Sequence, residues 1–442
     1  MTAERSGDEE SRWSQRQGGE RSEEDRVAAA SEFDVERSQG APAFDDAELE
    51  ELIAEAGGGG EEDEEDEEDY YNEEPDELDE EGVPFDDYAF IEKICKEGYY
   101  TEEEARELVL ERRHWPEWSY LRLDEEERIA GKRALVTGGA GFIGSHVAEL
   151  LLERGYRVLV VDDLSSGRIE NVPDGAMFEK MNLVDDVRAF QLAYHFCPDY
   201  VFHLAAQASV TVSVQSPFMD FFPNVVGTFN VLEGARSRNS RFVFASTGGA
   251  LYGEDAPLPT NEDFPPDPLS PYGIGKLCCE IYTTHWARLY ECPNTVLRLA
   301  NVYGPRQNPH GEAGVVAIFS QALRNGEAPR IYGDGEQTRD YIHVRDVAAA
   351  FVAAAERPSP GVYNVGTGVQ TSVNRLWELL QGVSGRSVTA QHMPPRMGEL
   401  RRSALDATRM REAFGWEPKV GLEEGLAETY AYYTGGLPSA GR

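Results

Sequence analysis

The stretch TGGAGFIGSH, residues 137–146, decides how the rest of the chain is read. It follows the apolar run ALV and opens FIGSHVAELLLERG, residues 142–155, whose apolar positions recur at helical spacing until Gly155 closes the run. Gly138, Gly141 and Gly144 are spaced GxxGxxG. Glycine triplets occur in many turns, but this one joins a strand to a helix and precedes RVLVVDD, residues 157–163, a second strand ending in acids. Glycines let the backbone approach a pyrophosphate, and the positive end of the helix dipole favours its charge. Asp162, eighteen residues beyond Gly144, stands where a carboxylate accepts both ribose hydroxyls of NAD. Asp163 adds a second negative charge that opposes the 2′-phosphate of NADP. The expected cofactor is NAD.

Working outward, YVFHLAA (200–206), RFVFAST (241–247) and TVLRLAN (295–301) are further apolar strands separated by helical stretches. Continuous apolar strands alternating with helices predict a parallel sheet covered on both faces. Beyond about residue 305 the pattern turns mixed and loop-rich, as a smaller substrate-binding subdomain would. The expected architecture is α/β: a doubly wound, Rossmann-type domain over 131–305 and a C-terminal subdomain over 306–442, some elements interleaved.

The formal charge of -40 is unevenly shared. Residues 1–130 hold 47 acidic against 13 basic side chains, leaving the remainder close to balance. GGGG at 57–60 is followed by nine uninterrupted acids at 61–69, a run that buries too little apolar surface to offset the entropy of ordering it. Residues 1–83 are therefore expected to be a disordered acidic tail, in its plainest reading a solubiliser. A protein partner for the tail, or autoinhibition, is the sharper alternative. Within 84–130, Thr101 and Glu104 form a capping-box signature, and Trp115 and Trp118 seek burial. This segment reads as a small helical adaptor.

The five cysteines show neither metal-ligand spacing nor an even disulfide framework, so no metal is expected. The N-terminus lacks a basic start and an apolar core, and no apolar run reaches bilayer length. A polyanionic tail repels nucleic acid. Neither nucleic acid nor membrane is expected as a partner, and the expected compartment is the cytoplasm.

SPYGIGKL, residues 270–277, puts Tyr272 and Lys276 four apart, on one helical face. That spacing alone fits any amphipathic helix, and only its company gives it meaning. VVDDLSSGR, FHLAAQASV, NVVGTFNVLE, STGGALYGE, SPYGIGK, RLANVYGPRQNP, GDGEQTRDYIHVRDV, YNVGTG and PPRMGELRRS follow TGGAGFIGSH in fixed order. From about 131 to 435 the chain resembles the extended short-chain dehydrogenase/reductase family, and within it the nucleotide-sugar epimerases, above all the UDP-glucose 4-epimerases.

The resemblance implies a YxxxK pair in Tyr272 and Lys276, with Thr247 or Ser246 binding the reacting oxygen. For the cofactor it implies Gly138, Gly141, Phe142, Ile143, Gly144, Asp162, Asp163, Leu164, Ser166, Gly167, Asn182, Leu183, Leu204, Ala205, Ala206 and Asn224, together with Tyr272 and Lys276. Asn182 would contact the adenine, and Lys276 would hold the nicotinamide ribose. Asn182 stands where the family usually has aspartate, and Asp163 where it often has asparagine. For a nucleotide-diphosphate sugar the resemblance implies Asn301, Val315, Arg339, Arg396 and Ser403, the guanidinium forks suiting the diphosphate. Small Ser403 is expected to admit an N-acetylated sugar. His203 and His343 are expected to be satisfied structural side chains. A homodimer through the helices carrying NVVGTFNVLE and SPYGIGK is implied as well.

Tyrosine, with an ordinary pKa near 10, is a poor base at neutral pH, and a neighbouring ammonium together with the positive nicotinamide of NAD⁺ is expected to lower that value. Thr247 is followed by Gly248, Gly249 and Ala250, without an ionisable group, whereas the resembling dehydratases carry an Asp–Glu pair there. The expected reaction is reversible oxidation at C4 through a 4-keto sugar, hence epimerisation. Another 4-keto-forming enzyme (a UDP-glucuronate epimerase or decarboxylase, or a dehydratase) or a non-catalytic nucleotide-sugar sensor are the alternatives.

Overall fold

In the structure, a computed structural model, the described residues are 132–184, 186–309, 314–395 and 400–435. The acidic tail and the helical adaptor lie outside them, as does Arg396.

The first half of the chain alternates as its apolar runs predict: β1 (Arg133–Thr137), α1 (Phe142–Glu153), β2 (Arg157–Asp162), β3 (Met177–Lys180), α2 (Asp186–Phe196) and β4 (Tyr200–His203). Two short helices, α3 (Val210–Gln215) and α4 (Pro217–Phe221), run through a π-helical turn (Phe222–Val226) into α5 (Gly227–Arg236). There follow β5 (Arg241–Thr247), α6 (Pro271–Leu289), β6 (Thr295–Leu299) and β7 (Asn301–Tyr303). The remainder is α7 (Val315–Asn325), β8 (Arg330–Tyr332), β9 (Thr338–His343), α8 (Val344–Glu356), β10 (Gly361–Val365), β11 (Gln370–Ser372), α9 (Val373–Ser384), β12 (Gln391–Met393), α10 (Thr408–Phe414) and α11 (Leu422–Thr434).

Seven strands form one parallel sheet in the order β3-β2-β1-β4-β5-β6-β10. Order reverses between β1 and β4, and ligands of such sheets bind beyond the strand ends at that switch. Side chains alternate between the faces with the strand period of two. Ala134, Val136, Val158, Val160, Val243 and Ala245 pack toward α1, α8 and α10. Leu135, Leu159, Val161, Phe242 and Phe244 pack toward α2, α5 and α6. With both faces covered, neither could be polar, so the strands read as unbroken apolar runs.

TVLRLAN is not one strand. The chain breaks at Ala300, and Asn301 opens β7, which leaves the main sheet to pair with β9 in a three-stranded sheet with β11. β10 and α8, late in sequence, join the main sheet and its helical layer. A third apolar cluster around Phe319, Trp377, Leu380 and Leu426 ties α7, α9 and α11 together beside β9.

Candidate active site

The glycine turn is shaped by contacts that exclude side chains. Gly138 has φ +68°, and a Cβ there would lie 2.6 Å from the Ala205 backbone nitrogen. A Cβ on Gly144 would lie 2.2 Å from the Gly138 carbonyl oxygen. The turn after β1 therefore presses on the turn after β4, bringing Leu204, Ala205 and Ala206 alongside the start of α1, where Phe142 and Ile143 lie half-buried.

Asp162 ends β2 almost fully buried, with Oδ2 accepting the Ala140 N–H (3.1 Å) and Oδ1 the Leu164 N–H (2.8 Å). Burial pushes its carboxyl up, and the two backbone bonds pull it down. Gly167 lets the following loop close over it, since a Cβ would stand 2.8 Å from Oδ1. Asp163 is exposed and accepts the Ser165 N–H (2.8 Å), Ser166 is exposed, and Leu164 has φ +61°. Each Asp162 oxygen keeps a lone pair for a diol. A cradle open only to backbone, followed by a buried carboxylate, fits a dinucleotide.

Asn182 is exposed and its Oδ1 accepts the Val184 N–H (3.0 Å), while Leu183 is buried beside it. Asn224, by contrast, is enclosed. Its Oδ1 accepts the Gln207 N–H (2.8 Å), and its Nδ2 donates to the Gln207 carbonyl and to Asp220 Oδ1 (2.9 Å each).

Ser270 caps α6, its hydroxyl accepting the Gly273 N–H (3.2 Å), with Pro271 at the first helical position. This fixes Tyr272 in the first turn and Lys276 one turn on. The Thr247 side chain, at the end of β5, lies beside Tyr272. Lys276 is buried, and its Nζ donates to the Ala245 carbonyl (3.0 Å) and lies 6.0 Å from the centre of the Tyr272 ring. Ser246 turns the other way, as strand alternation requires, and donates to Glu280 Oε1 (2.5 Å). Of the two candidate hydroxyls, Thr247 is the one at Tyr272.

The protein's own groups act on Tyr272 in both directions. Its pKa is pushed up from the ordinary value, first by burial and then by the Asp220 carboxylate, with the Thr247 side chain pulling down. Lys276 is itself lowered by burial, and Cys279, Asp220 and Glu280 oppose that shift. Sequence reading weighed the ammonium and missed the carboxylate. Its only trace was an acid inside the apolar run PFMDFF.

Of the substrate-side residues, Asn301 is half-buried, and its Oδ1 lies 3.9 Å from where a Gly249 Cβ would be. Arg339, on β9, donates through Nη1 to the Thr338 carbonyl (2.8 Å). Ser403 is brought beside it, its N–H donating to the same carbonyl (3.2 Å). Val315 is the half-buried first residue of α7. Asp340, next to Arg339, is a buried hub accepting N–H groups from Thr367, Gly368 and Leu405.

His203 is a satisfied core residue, bonded to Thr137 Oγ1 (2.7 Å) and Thr228 Oγ1 (2.9 Å). His343 is only half satisfied. Its Nδ1 accepts the Arg345 N–H, but its buried Nε2 has no hydrogen-bond partner among the described residues and lies 3.9 Å from Glu428.

The model of the NAD dependent epimerase/dehydratase family matches residues 134–366. A UDP-glucose 4-epimerase of Mycolicibacterium smegmatis is 48% identical over 308 residues, 68% of this chain and 98% of the relative. The crystal structure of a Thermotoga maritima UDP-glucose 4-epimerase with UDP-glucose is 49% identical, covering 68% of this chain and 98% of that one at a TM-score of 0.67. The Thermus thermophilus UDP-glucose 4-epimerase in complex with NAD is 43% identical, covering 69% and 100% at 0.66.

Proposed function

The chain belongs to the NAD dependent epimerase/dehydratase family, and on that premise we propose that it inverts C4 of a UDP-hexose, interconverting UDP-glucose and UDP-galactose. One observation carries the reading: Tyr272 stands beside Thr247 and is backed by Lys276, and Thr247 is followed by Gly248, Gly249 and Ala250, with no ionisable group among them.

Gly138, Gly141 and Gly144 would hold the pyrophosphate of NAD, and Asp162 its ribose diol. Bound there, NAD supplies an acceptor for hydride that also serves as its donor. Tyr272 takes the proton of the C4 hydroxyl and later returns it, and Thr247 orients the oxygen that loses it. Lys276, with one N–H on Ala245 and two free to turn, holds its charge behind the pair. Because hydride must return to the opposite face, the 4-keto sugar has to turn while the diphosphate stays fixed. Arg339 and Arg396 are the guanidinium groups for that grip, with Asn301 and Val315 lining the sugar side. Small Ser403, one backbone bond from the strand bearing Arg339, leaves space for an N-acetyl group.

We also propose a homodimer through α5 and α6, where Phe229, Ile274, Ile281, Tyr282 and Leu289 are exposed, testable by sedimentation equilibrium.

The central test incubates the full chain with NAD and either UDP-glucose or UDP-N-acetylglucosamine and follows the C4 epimer. Tyr272→Phe keeps the ring and removes the proton carrier, so turnover should fall at least ~10²-fold with NAD still bound. Near-native turnover in that variant, or no epimer of either sugar from the parent, refutes the reading.

A further inference from the structure

Helix α4 is inside out. Phe218, Met219 and Phe221 are exposed at 74%, 64% and 48%, while Asp220 between them is 1% exposed. A buried carboxylate is expensive unless it is hydrogen bonded and faces an opposite charge. Both conditions are met here. Asp220 Oδ1 accepts from Gln207 Nε2 and Asn224 Nδ2, 2.9 Å each, and the Asn224 amide also bonds the Gln207 backbone N–H and carbonyl. Oδ2 lies over Gly275 of α6, where a Cβ would stand 3.4 Å from it. Gly275 is three residues after Tyr272 and directly before Lys276, so the carboxylate meets α6 on the turn that bears the pair.

We propose that Asp220 is a positioning residue for proton transfer, a fixed counter-charge that offsets the Lys276 ammonium so that Tyr272 can both take up and release its proton. The inference rests on the reading of Tyr272 as the proton carrier. A carrier that takes a proton and gives it back works best when neither of its forms is strongly favoured. Lys276 alone would favour the phenolate and make it a weak base. Asp220 cancels that standing bias, and its carboxylate is the one charged group acting to raise Tyr272. The other charged or titratable groups facing the pair are Cys279 and Glu280 on α6, and His203 at the end of β4. His203 is held neutral, its pKa lowered to about 3 by burial and by Lys276. Arg298, on β6, is bound to Glu280. α3 and the π-helical turn, which also pack on α6, contain no ionisable residue.

Asp220→Asn is a clean perturbation, because the amide oxygen accepts the same two hydrogen bonds and only the charge is lost. Ionisation of Tyr272 is read as an ultraviolet difference titration of the full chain against the same chain carrying Tyr272→Phe. A like charge at close range shifts a pKa by about one unit or more, so Asp220→Asn should move the titration at least about one pH unit downward. The acid limb of the pH–rate profile should move with it. Lys276→Met should move the titration upward, and adding Asp220→Asn to Lys276→Met should bring it down again. That second comparison carries the test if Asp220→Asn alone does not fold, since the double variant leaves no buried charge unpaired. Coincident titrations with and without Asp220, in either background, overturn the proposal. Uniform loss of turnover at every pH with an unmoved limb does so too. If Tyr272→Phe proves active while the titration still shifts, the proton-carrier reading fails and the electrostatic role of Asp220 stands.

Discussion

Glu280→Ala should be the most damaging substitution outside the reacting atoms. Glu280 and Arg298 are 3% and 5% exposed, and the pair is bidentate: Nη2 to Oε2 at 2.6 Å, with Nε 3.0 Å and 3.1 Å from the two oxygens. Glu280 also accepts from Ser246, and Arg298 donates to the Tyr252 hydroxyl (2.6 Å), which reaches Asn364. Removing the carboxylate strands a guanidinium in the core, a loss of about 3–5 kcal/mol, and the freed Ser246 hydroxyl adds roughly 1 kcal/mol. Replacing both members by methionine removes the charges together and should cost clearly less than Glu280→Ala alone. Denaturant unfolding followed by tryptophan fluorescence measures the difference. Turnover provides a second readout, because Ser246 is the neighbour of Thr247 and its anchor fixes the end of β5. If Glu280→Ala costs under about 1 kcal/mol, or the double replacement costs as much as the single one, the pair is not the strut described here.

Gly144→Ala places a Cβ 2.2 Å from a backbone oxygen that has no room to yield, so NAD affinity measured by calorimetry should fall at least about tenfold, and unchanged affinity would refute the cradle. The chain should also lose stability in mild acid. Burial lowers the pKa of His146 and His203 to about 3 and of His343 to about 4, so between those values and 6.5 the unfolded chain binds more protons. Stability contributed by their neutral forms is complete above pH 6.5 and falls with pH by about 1.4 kcal/mol per unit per histidine, and a melting temperature flat across that window would contradict it.

What the sequence made legible is what short-range rules control. The seven-residue strand ending in Thr247, the glycine turn and the Ser-Pro start of α6 each carry their own geometry, and the sheet and the Tyr272–Lys276 face follow from them. What it hid depends on partners far apart in the chain. The break at Ala300 arises because Asn301 finds β9, forty residues on, rather than β10. Ser246 and Thr247 look interchangeable until Glu280, on another element, claims one of them. Asp220 reads as an oddity among phenylalanines until Gln207, Asn224 and Gly275 close around it.

The turn after β5 bears most directly on the reaction. A Cβ on Gly248 would lie 2.4 Å from Leu405 Cδ1, and Leu405 is buried and tethered through its N–H to Asp340 (3.2 Å). Asp340 in turn holds the turn after β10 through Thr367 and Gly368, so Leu405 has little freedom to withdraw. An acidic side chain at 248 would have to displace a packed core residue. Gly249 has space, but that space opens toward Asn301, whose amide does not ionise near neutral pH. Elimination of water would need an acid for the leaving oxygen and a base for the neighbouring proton, and the residues following Thr247 provide neither. On the reading proposed above, Tyr272 moves one proton at one carbon and accepts it back at the same position. Return of hydride to the opposite face then needs no further acid or base, which is what this turn leaves room for.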